Sequence, residues 1–286
     1  MLPLQLVIEA IAQGCVYGLV AMGIVLIYQT RQTISLAQGE FMLMGAWIAL
    51  LGATIGGLPY GLAALVALLV VAAMGWLMQY LVLRPLAGRP AWALALLTGA
   101  IAYGARKLLV AATGTNLPST SVPSPYPEHA WTLAGVPMRI EFLAAIAITA
   151  LVCGALWALF RYNKVGIALH AAMRNRAAAH HMGLPVRHLD SAIWVLAALL
   201  AGTAGLLLAT WAPVDTDMAS TGLKALPAAV MGGLLRLRGA MMGGIFIGLI
   251  EAVTNDVVPD AWHNAPAYVA ALLLWSVVHW GRKVSP

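Results

Sequence analysis

The chain has 286 residues, of which 62% are hydrophobic and only 9% are charged, with a mean hydropathy of +0.88. Soluble domains carry about 25% charged residues, so this composition excludes a soluble globular protein and indicates a helical membrane protein with many spans. The net charge of +6 does not indicate a nucleic-acid binder, because the basic residues lie between apolar runs rather than in one patch.

Eight apolar runs are each long enough to span a membrane as a helix, which needs about 20 residues. They cover residues 6–29, 36–57, 60–83, 91–112, 140–160, 190–211, 239–257 and 265–281. A shorter run at residues 222–235 favours either a tilted ninth span or a re-entrant segment. The sequence therefore predicts an all-α fold, with eight or nine transmembrane helices in a single domain over residues 1–286.

The connections between the runs hold most of the basic residues, and these set the expected topology. Twelve of the sixteen Lys and Arg lie in five places: Arg31, Arg84 with Arg89, residues 161–190, Arg236 with Arg238, and Arg282 with Lys283. Positive charge accumulates in cytoplasmic connections. We therefore expect the N-terminus outside and residues 161–190 inside, with the C-terminus also inside if there are nine crossings.

The connection at residues 113–139 is the longest expected on the outer side. Its TNLPSTSVPSPYP stretch is rich in Pro and Ser, and a residue that precedes Pro is pushed into an extended conformation. We expect irregular structure there.

Residues 161–190 form a polar segment between two long apolar runs. It carries five of the sixteen Lys and Arg and four of the seven His. Each charge in hydrocarbon costs about 2.5–3.5 kcal/mol on insertion scales, so the segment must lie outside the bilayer. We interpret it as the surface through which another protein drives this one. The adjacent His180 and His181 point to different faces of a helix, so solvated histidines are favoured over a metal site.

Two carboxylates, Glu40 and Glu251, lie within or beside apolar runs. Ionisable groups at such positions face a bundle interior or a water-filled cavity and pair with something polar. One interpretation places them on a substrate pathway together with their polar sequence neighbours: Ser35, Gln38 and Asn255. The other makes each carboxylate a tie between helices. Arg106 and Lys107, inside the fourth run, are candidate counter-charges or snorkelling cations.

Pairs of glycines four residues apart recur in the runs, at Gly14 and Gly18, Gly52 and Gly56, Gly239 and Gly243, and Gly244 and Gly248. Small residues let helices approach closely in lipid, where no hydrophobic force drives their association. Packing within the chain is the favoured interpretation, and a subunit interface or a pore wall the alternative.

The chain lacks a Gly-rich phosphate loop that ends in Lys-Ser or Lys-Thr, so we do not expect it to be an enzyme that hydrolyses nucleotides. Four stretches resemble the permease subunits of branched-chain amino-acid ABC importers, the LivH-type family. They are GCVYGLVAMGIVLIYQT, ISLAQGEFMLMGA, VGIALHAAMRNRAAAHHMGLPV and GLKALPAAVMGGLLRLRGAMMGGIFIGLIEA. The resemblance runs nearly from end to end.

The resemblance implies a multi-pass inner-membrane subunit that works with a second, homologous permease, two ATPase subunits and a periplasmic binding protein. ATP and Mg would be bound by the ATPases, and this chain would hold no cofactor. A short coupling helix would dock into the ATPase, and the resemblance assigns this role to Arg174, Asn175, Arg176, Ala178, Ala179, Met182, Gly183 and Pro185. The physics agrees, since Gly183 can end a helix in the left-handed conformation and Pro185 cannot continue it.

One position departs from the family pattern, because Ala177 stands where importers of this kind often carry Glu before paired alanines. The docking contact would then depend on Arg174 and Arg176. Relatives of this architecture carry amides, urea or aromatic acids as well as Leu, Ile and Val. Two other classes remain as alternatives: a stand-alone secondary transporter or channel that uses Glu40 and Glu251 as ion carriers, and a membrane anchor.

Overall fold

A computed structural model describes residues 2–86, 89–113, 131–133, 136–215, 217–254 and 268–269. The long helices are α1 (Leu2–Arg31), α2 (Gln38–Thr54), α3 (Tyr60–Leu77, continued by a π-helical segment, Met78–Leu83), α4 (Ala91–Thr113), α5 (Ile140–Tyr162), α8 (Val186–Leu208) and α11 (Leu237–Thr254). The short helices are α6 (Lys164–Arg174), α7 (Arg176–His181), α9 (Met218–Leu223) and α10 (Ala225–Met231).

The core is built around α1, whose residues from Val16 to Ile27 are buried without interruption. A helix that is apolar on all sides is either enclosed by protein or faces lipid, and the burial of α1 shows that other helices enclose it. Close approach at glycines makes this possible on the α11 side. A Cβ atom on Gly244 would lie 2.4 Å from the Cα of Gly18, and one on Gly248 would lie 2.4 Å from the carbonyl of Ala10. The order of these contacts shows that α1 and α11 are antiparallel.

A second layer joins α2, α3 and α8. A Cβ atom on Gly205 of α8 would lie 2.0 Å from the carbonyl of Met42 on α2, and one on Gly75 of α3 would lie 2.6 Å from the Cβ of Ala198. These positions admit only glycine without a shift of the backbone. The glycine pairs Gly14 with Gly18 and Gly244 with Gly248 therefore serve packing within the chain, as the favoured interpretation predicted.

The short run at residues 222–235, predicted to be a tilted span or a re-entrant segment, is not one continuous helix. It belongs to a broken helical segment, in which α9 packs on the start of α2 and α10 packs on α11. A Cβ atom on Gly39 would lie 2.3 Å from the carbonyl of Ala219, and one on Gly243 would lie 2.2 Å from the carbonyl of Ala228. The break between the two short helices falls at Lys224.

The predicted helical class is confirmed, and the boundaries of seven of the eight long runs agree within a few residues. Five helices of the described ranges are long and apolar enough to cross a membrane: Gln5–Thr30, Tyr60–Leu83, Ile140–Tyr162, Val186–Leu208 and Leu237–Thr254. The eighth run, residues 265–281, lies almost wholly outside the described residues.

The expectation of irregular structure at residues 113–139 is wrong in one respect. Trp131–Leu133 and Val136–Met138 form a two-stranded antiparallel sheet, with Trp131 opposite Met138. The described part of the fold is therefore helical with one small hairpin, and the Pro-rich stretch itself lies outside the described residues.

Candidate functional site

The first of the two intramembrane carboxylates, Glu40, lies in the first turn of α2 and faces Arg106 of α4. The Nε atom of Arg106 is 3.4 Å from Oε2 of Glu40, and the two side chains are only 14% and 12% exposed. The guanidinium group of Arg106 also lies over the ring of Tyr103, 4.7 Å from its centroid. Of the two candidate counter-charges, Arg106 is the one that pairs with Glu40, whereas Lys107 is exposed and lies 5.5 Å from the same ring.

A cleft of about 460 Å³ adjoins this ion pair. Its walls come from α2 with the residues just before it, from α4 and from α9. The lining residues are Leu36, Gly39, Glu40, Gly99, Tyr103, Arg106, Asp217, Ala219, Ser220 and Leu223. Cavities of about 300–1,000 Å³ are typical of small-molecule sites. The structure thus places one predicted pathway residue, Glu40, at a cleft of suitable size.

The second carboxylate, Glu251, lies on α11 in a separate polar cluster. Its Oε1 atom contacts Nζ of Lys224, and the hydroxyl of Tyr17 donates a hydrogen bond to its Oε2 atom. Gln13 in turn donates to the Tyr17 hydroxyl at 2.9 Å. Lys224 is 8% exposed. The cluster therefore connects α1, α11 and the break between α9 and α10.

The other predicted pathway residues do not join these pairs. Ser35 and Gln38 are 2% and 1% exposed, and neither side chain has a hydrogen-bond partner in the described part of the chain. Gln38 points at α1, where a Cβ atom on Gly23 would lie 3.0 Å from its Oε1 atom. Asn255 lies outside the described residues. Ser35 and Gln38 are therefore close to Glu40 in sequence without being bonded to it.

Lys224 and Tyr17 are the polar residues that the sequence analysis missed. Lys224 stands alone in an apolar run, and a charge in such a place needs a partner. That rule pointed to Glu40 and Glu251 and applies equally to Lys224, but it does not say which carboxylate lies nearby.

A larger cavity, of about 1,000 Å³, lies on another side of the molecule among α1, α5, α6 and the start of α11. Met22, Trp157, Phe160, Met241 and Met242 contribute apolar walls to it. The polar groups at it include His170, within α6, and Arg236, which directly precedes α11.

The polar segment at residues 161–190 forms two short helices with side-chain caps. Asn163 accepts a hydrogen bond from the backbone N–H of Val165 at 2.9 Å at the start of α6, and Asn175 accepts one from Ala178 at 3.0 Å at the start of α7. Such caps satisfy backbone N–H groups that have no partner within the helix. Asn175 thus has a structural role in addition to the docking role that the resemblance implies.

The end of α7 agrees with the predicted geometry. Gly183 has a φ angle of +78°, and the backbone N–H of Leu184 donates to the carbonyl of Ala179 at 3.1 Å. Pro185 precedes α8 directly. The left-handed glycine ends one helix, and the proline begins the next.

Among the predicted docking residues whose exposure the structure describes, Ala179 is buried. Ala178 is exposed and Met182 is 83% exposed, which leaves both available to another protein. Ala179 is only 4% exposed, because it lies on the face of α7 that packs against the bundle. The docking role of the segment stays a prediction, and in this structure the side chain of Ala179 faces the bundle.

Comparisons with known proteins place the chain in a family. Residues 6–277 match the model of a family described as the permease component of branched-chain amino acid transport systems. A probable branched-chain amino acid transport permease protein LivH of Methanocaldococcus jannaschii is 31% identical over 252 residues, which cover 85% of this chain and 78% of the relative. The high-affinity system permease LivH of Escherichia coli K12 is 23% identical, with 97% and 94% covered.

A solved structure has a similar fold. A chain of PsaBC from Streptococcus pneumoniae in complex with Fab superposes with a TM-score of 0.50 at 12% identity, covering 94% of this chain and 89% of that chain. At this identity the likeness concerns the fold alone. The match of the family model over residues 6–277 establishes that the chain belongs to the family of permease components of branched-chain amino acid transport systems.

Proposed function

We propose that the chain is the transmembrane permease subunit of an ATP-driven importer of branched-chain or related amino acids in a bacterial inner membrane. The observation that carries this proposal is the family match over residues 6–277, together with relatives whose names state this transport. Membership of a permease family also supports a subunit that does not itself catalyse a reaction.

The partners follow from this role. A second permease chain completes the pathway, two ATPase subunits bind ATP and Mg and supply the energy, and a periplasmic binding protein delivers the substrate. The exposed side of α6 and α7, with Ala178 and Met182, is the surface on which an ATPase docks. An exposed Met suits such a contact, because its flexible apolar side chain adapts to a partner groove.

The proposed topology has nine crossings, with the N-terminus outside and the C-terminus inside. The broken segment α9–α10 is then one of the crossings, although it is divided at Lys224. Broken helices are tolerated at membrane depth where they are buried in protein, and here α2 and α11 cover the two halves. The run at residues 265–281 is the ninth crossing.

The substrate pathway in this proposal includes Ser35, Gln38, Glu40, Glu251 and Asn255. Buried polar atoms without a partner cost about 1–3 kcal/mol each, and Ser35 and Gln38 carry such atoms in the described structure. Water or a polar solute that passes these side chains would satisfy them. This supports their placement along a polar route.

The test is reconstitution in proteoliposomes. The complete complex with its binding protein should take up leucine only when ATP is supplied on the ATPase side, and the isolated chain should transport nothing. Leucine flux through the isolated chain would instead establish a stand-alone carrier or channel. Uptake of urea or an amide in place of leucine would keep the permease role and change the substrate class.

The orientation has its own measurement. Single cysteines introduced by His181→Cys and Ser121→Cys, with the native Cys15 and Cys153 replaced by serine, should react with a membrane-impermeant maleimide from opposite sides. His181→Cys should label only when the cytoplasmic face is open to the reagent. Labelling of His181→Cys in intact cells would overturn the topology and the docking surface together.

A further inference from the structure

The cleft beside Glu40 has opposite charges and apolar side chains on its walls. Glu40 and Arg106 stand on one side, and Leu36 and Leu223 contribute apolar surface. Both leucines are half-buried, and Ser220 and Asp217 are exposed. A ligand in this cleft would therefore meet a cation, an anion and a hydrocarbon surface within about 460 Å³.

At the cleft, Nε of Arg106 and Oε2 of Glu40 are close, without a hydrogen bond between these two atoms. Oε2 of Glu40 is buried and lacks a hydrogen-bond partner in the described ranges, although Nε of Arg106 is only 3.4 Å away. Arg–carboxylate pairs normally make parallel hydrogen bonds at about 2.7–2.9 Å. The guanidinium group also lies over the ring of Tyr103. The pair thus balances charge while leaving acceptor capacity on Glu40 available.

We propose that this cleft is a binding site for a zwitterionic α-amino acid. The α-carboxylate would bind the guanidinium group of Arg106, and the α-ammonium group would bind the carboxylate of Glu40. The inference deepens the proposed function and rests on it, since it names the residues that receive the substrate. A zwitterion has no net charge, so its entry would leave unchanged the net charge that Glu40, Arg106 and Asp217 give the cleft.

The same arrangement selects against molecules with only one charge. A carboxylate without an ammonium group would bind Arg106 and leave the charge of Glu40 without compensation. An amine without a carboxylate would bind Glu40 and leave the charge of Arg106 without compensation. An uncompensated charge on Glu40 or Arg106 is unfavourable, because these side chains are only 12% and 14% exposed. The apolar walls at Leu36 and Leu223 would hold a branched aliphatic side chain. The cleft therefore fits a neutral apolar amino acid better than urea or a simple amide.

Gly99 shows how the width of the cleft is set. A Cβ atom on Gly99 of α4 would lie 3.2 Å from the Cβ of Leu36, so any larger residue would push α4 away or reach into the cleft. Gly99 lies among the lining residues, seven positions before Arg106 and on the same helix. A bulky residue at position 99 should therefore restrict the site to amino acids with shorter aliphatic side chains.

The first measurement is uptake by the complete complex. The binding protein captures the substrate and sets the half-saturating concentration, so a defect at a site inside the permease should lower the maximal rate instead. Glu40→Gln and Arg106→Lys should each reduce the maximal rate of leucine uptake about tenfold or more, with little change in half-saturation. The matched control is Lys107→Ala, because Lys107 is exposed, neighbours the same Tyr103 ring and does not line the cleft.

The second measurement is direct binding of radiolabelled leucine to the permease–ATPase complex in nanodiscs without the binding protein. Wild type and Lys107→Ala should bind leucine, and Glu40→Gln and Arg106→Lys should not. Unlabelled leucine should compete, whereas 4-methylpentanoate and 3-methylbutylamine, which each keep one of the two charges, should not. Equal competition by either analogue would overturn the zwitterion site.

The outcomes separate this inference from the proposed function. If wild type imports leucine but neither variant changes the maximal rate or the binding, the cleft site is wrong and the permease role stands. If both variants fail because the complex no longer assembles, the unfolding temperature of each purified variant should be lower than that of the wild-type chain. The Glu40–Arg106 pair is then structural. If wild type imports no amino acid with all partners present, the proposed function itself fails.

Discussion

The Nζ atom of Lys224 contacts Oε1 of Glu251, and this ion pair joins the break between α9 and α10 to α11. Both side chains are at most 15% exposed, and Tyr17 adds a hydrogen bond from α1 to the same carboxylate. Three separate parts of the chain therefore meet at one charged cluster. Lys224 lies at the break, and its buried charge is compensated by the carboxylate of Glu251 on α11.

Removal of either partner of this pair should destabilise the protein strongly. Lys224→Ala would leave the carboxylate of Glu251 buried beside Tyr17, and Glu251→Gln would leave a buried ammonium group. Breaking a buried ion pair costs about 3–5 kcal/mol, because the remaining charge loses its compensation. We expect a corresponding fall in the free energy of unfolding of the purified chain in detergent micelles, measured by chemical denaturation.

The double variant Lys224→Met with Glu251→Met should recover at least half of that loss, since both charges are removed together. The control pair is Arg139 and Glu141, 3.5 Å apart, in which Arg139 is 51% exposed. Arg139→Ala should cost less than Lys224→Ala, because half of the Arg139 side chain is in solvent, where an ion pair contributes little. Additive losses at Lys224 and Glu251 would show that the two charges do not stabilise each other.

The contact between α2 and α8 depends on the missing side chain of Gly205. A Cβ atom there would lie 2.0 Å from the carbonyl oxygen of Met42. This oxygen belongs to the backbone of α2, so relief of the overlap requires a shift of the helix. Gly205→Ala should therefore destabilise the chain by about 1–3 kcal/mol through overpacking. Gly61→Ala on α3 is the matched control, because nothing lies within 4 Å of the position. Equal thermal stability of the two variants would refute the close packing.

The sequence predicted the helices well because length and apolar composition are local properties. It also predicted that Glu40 and Glu251 need partners, because a charge in an apolar run is costly wherever the helix packs. It did not predict that Lys224, rather than a sequence neighbour, serves Glu251. That pairing depends on how α9, α10 and α11 fold together, and no local pattern records it. The inward face of α7, with Ala179, was missed for the same reason.

The left-handed turn at Gly183 should be essential for the shape of the segment between α7 and α8. Its φ of +78° costs a residue with a Cβ atom about 1–2 kcal/mol, and nothing within 4 Å adds a steric term. Gly183→Ala should therefore loosen the end of α7. The expected result is faster trypsin cleavage after Arg176 and Arg187.

Gly183→Asn is the matched control for this backbone effect. Asn adds a larger side chain than Ala but tolerates the left-handed conformation better. Its cleavage rate should fall between those of wild type and Gly183→Ala. Faster cleavage of Gly183→Asn than of Gly183→Ala would point to side-chain size and against backbone strain.

The basic residues at the junction of α6 and α7 should carry the charge part of the contact with an ATPase subunit. Arg174 ends α6 and Arg176 begins α7, and Ala177 offers no carboxylate to share that role. The double reversal Arg174→Glu with Arg176→Glu should therefore weaken co-purification of the ATPase about tenfold or more, since like charges would meet across the contact. Arg89→Glu is the control, because Arg89 is exposed in the connection just before α4, and it should leave co-purification unchanged. Wild-type recovery of the ATPase with the double variant, at normal membrane levels, would place the docking contact elsewhere. Because α6 and α7 are capped by Asn163 and Asn175, which both variants retain, a loss confined to the double variant reports on charge and not on the folding of the segment.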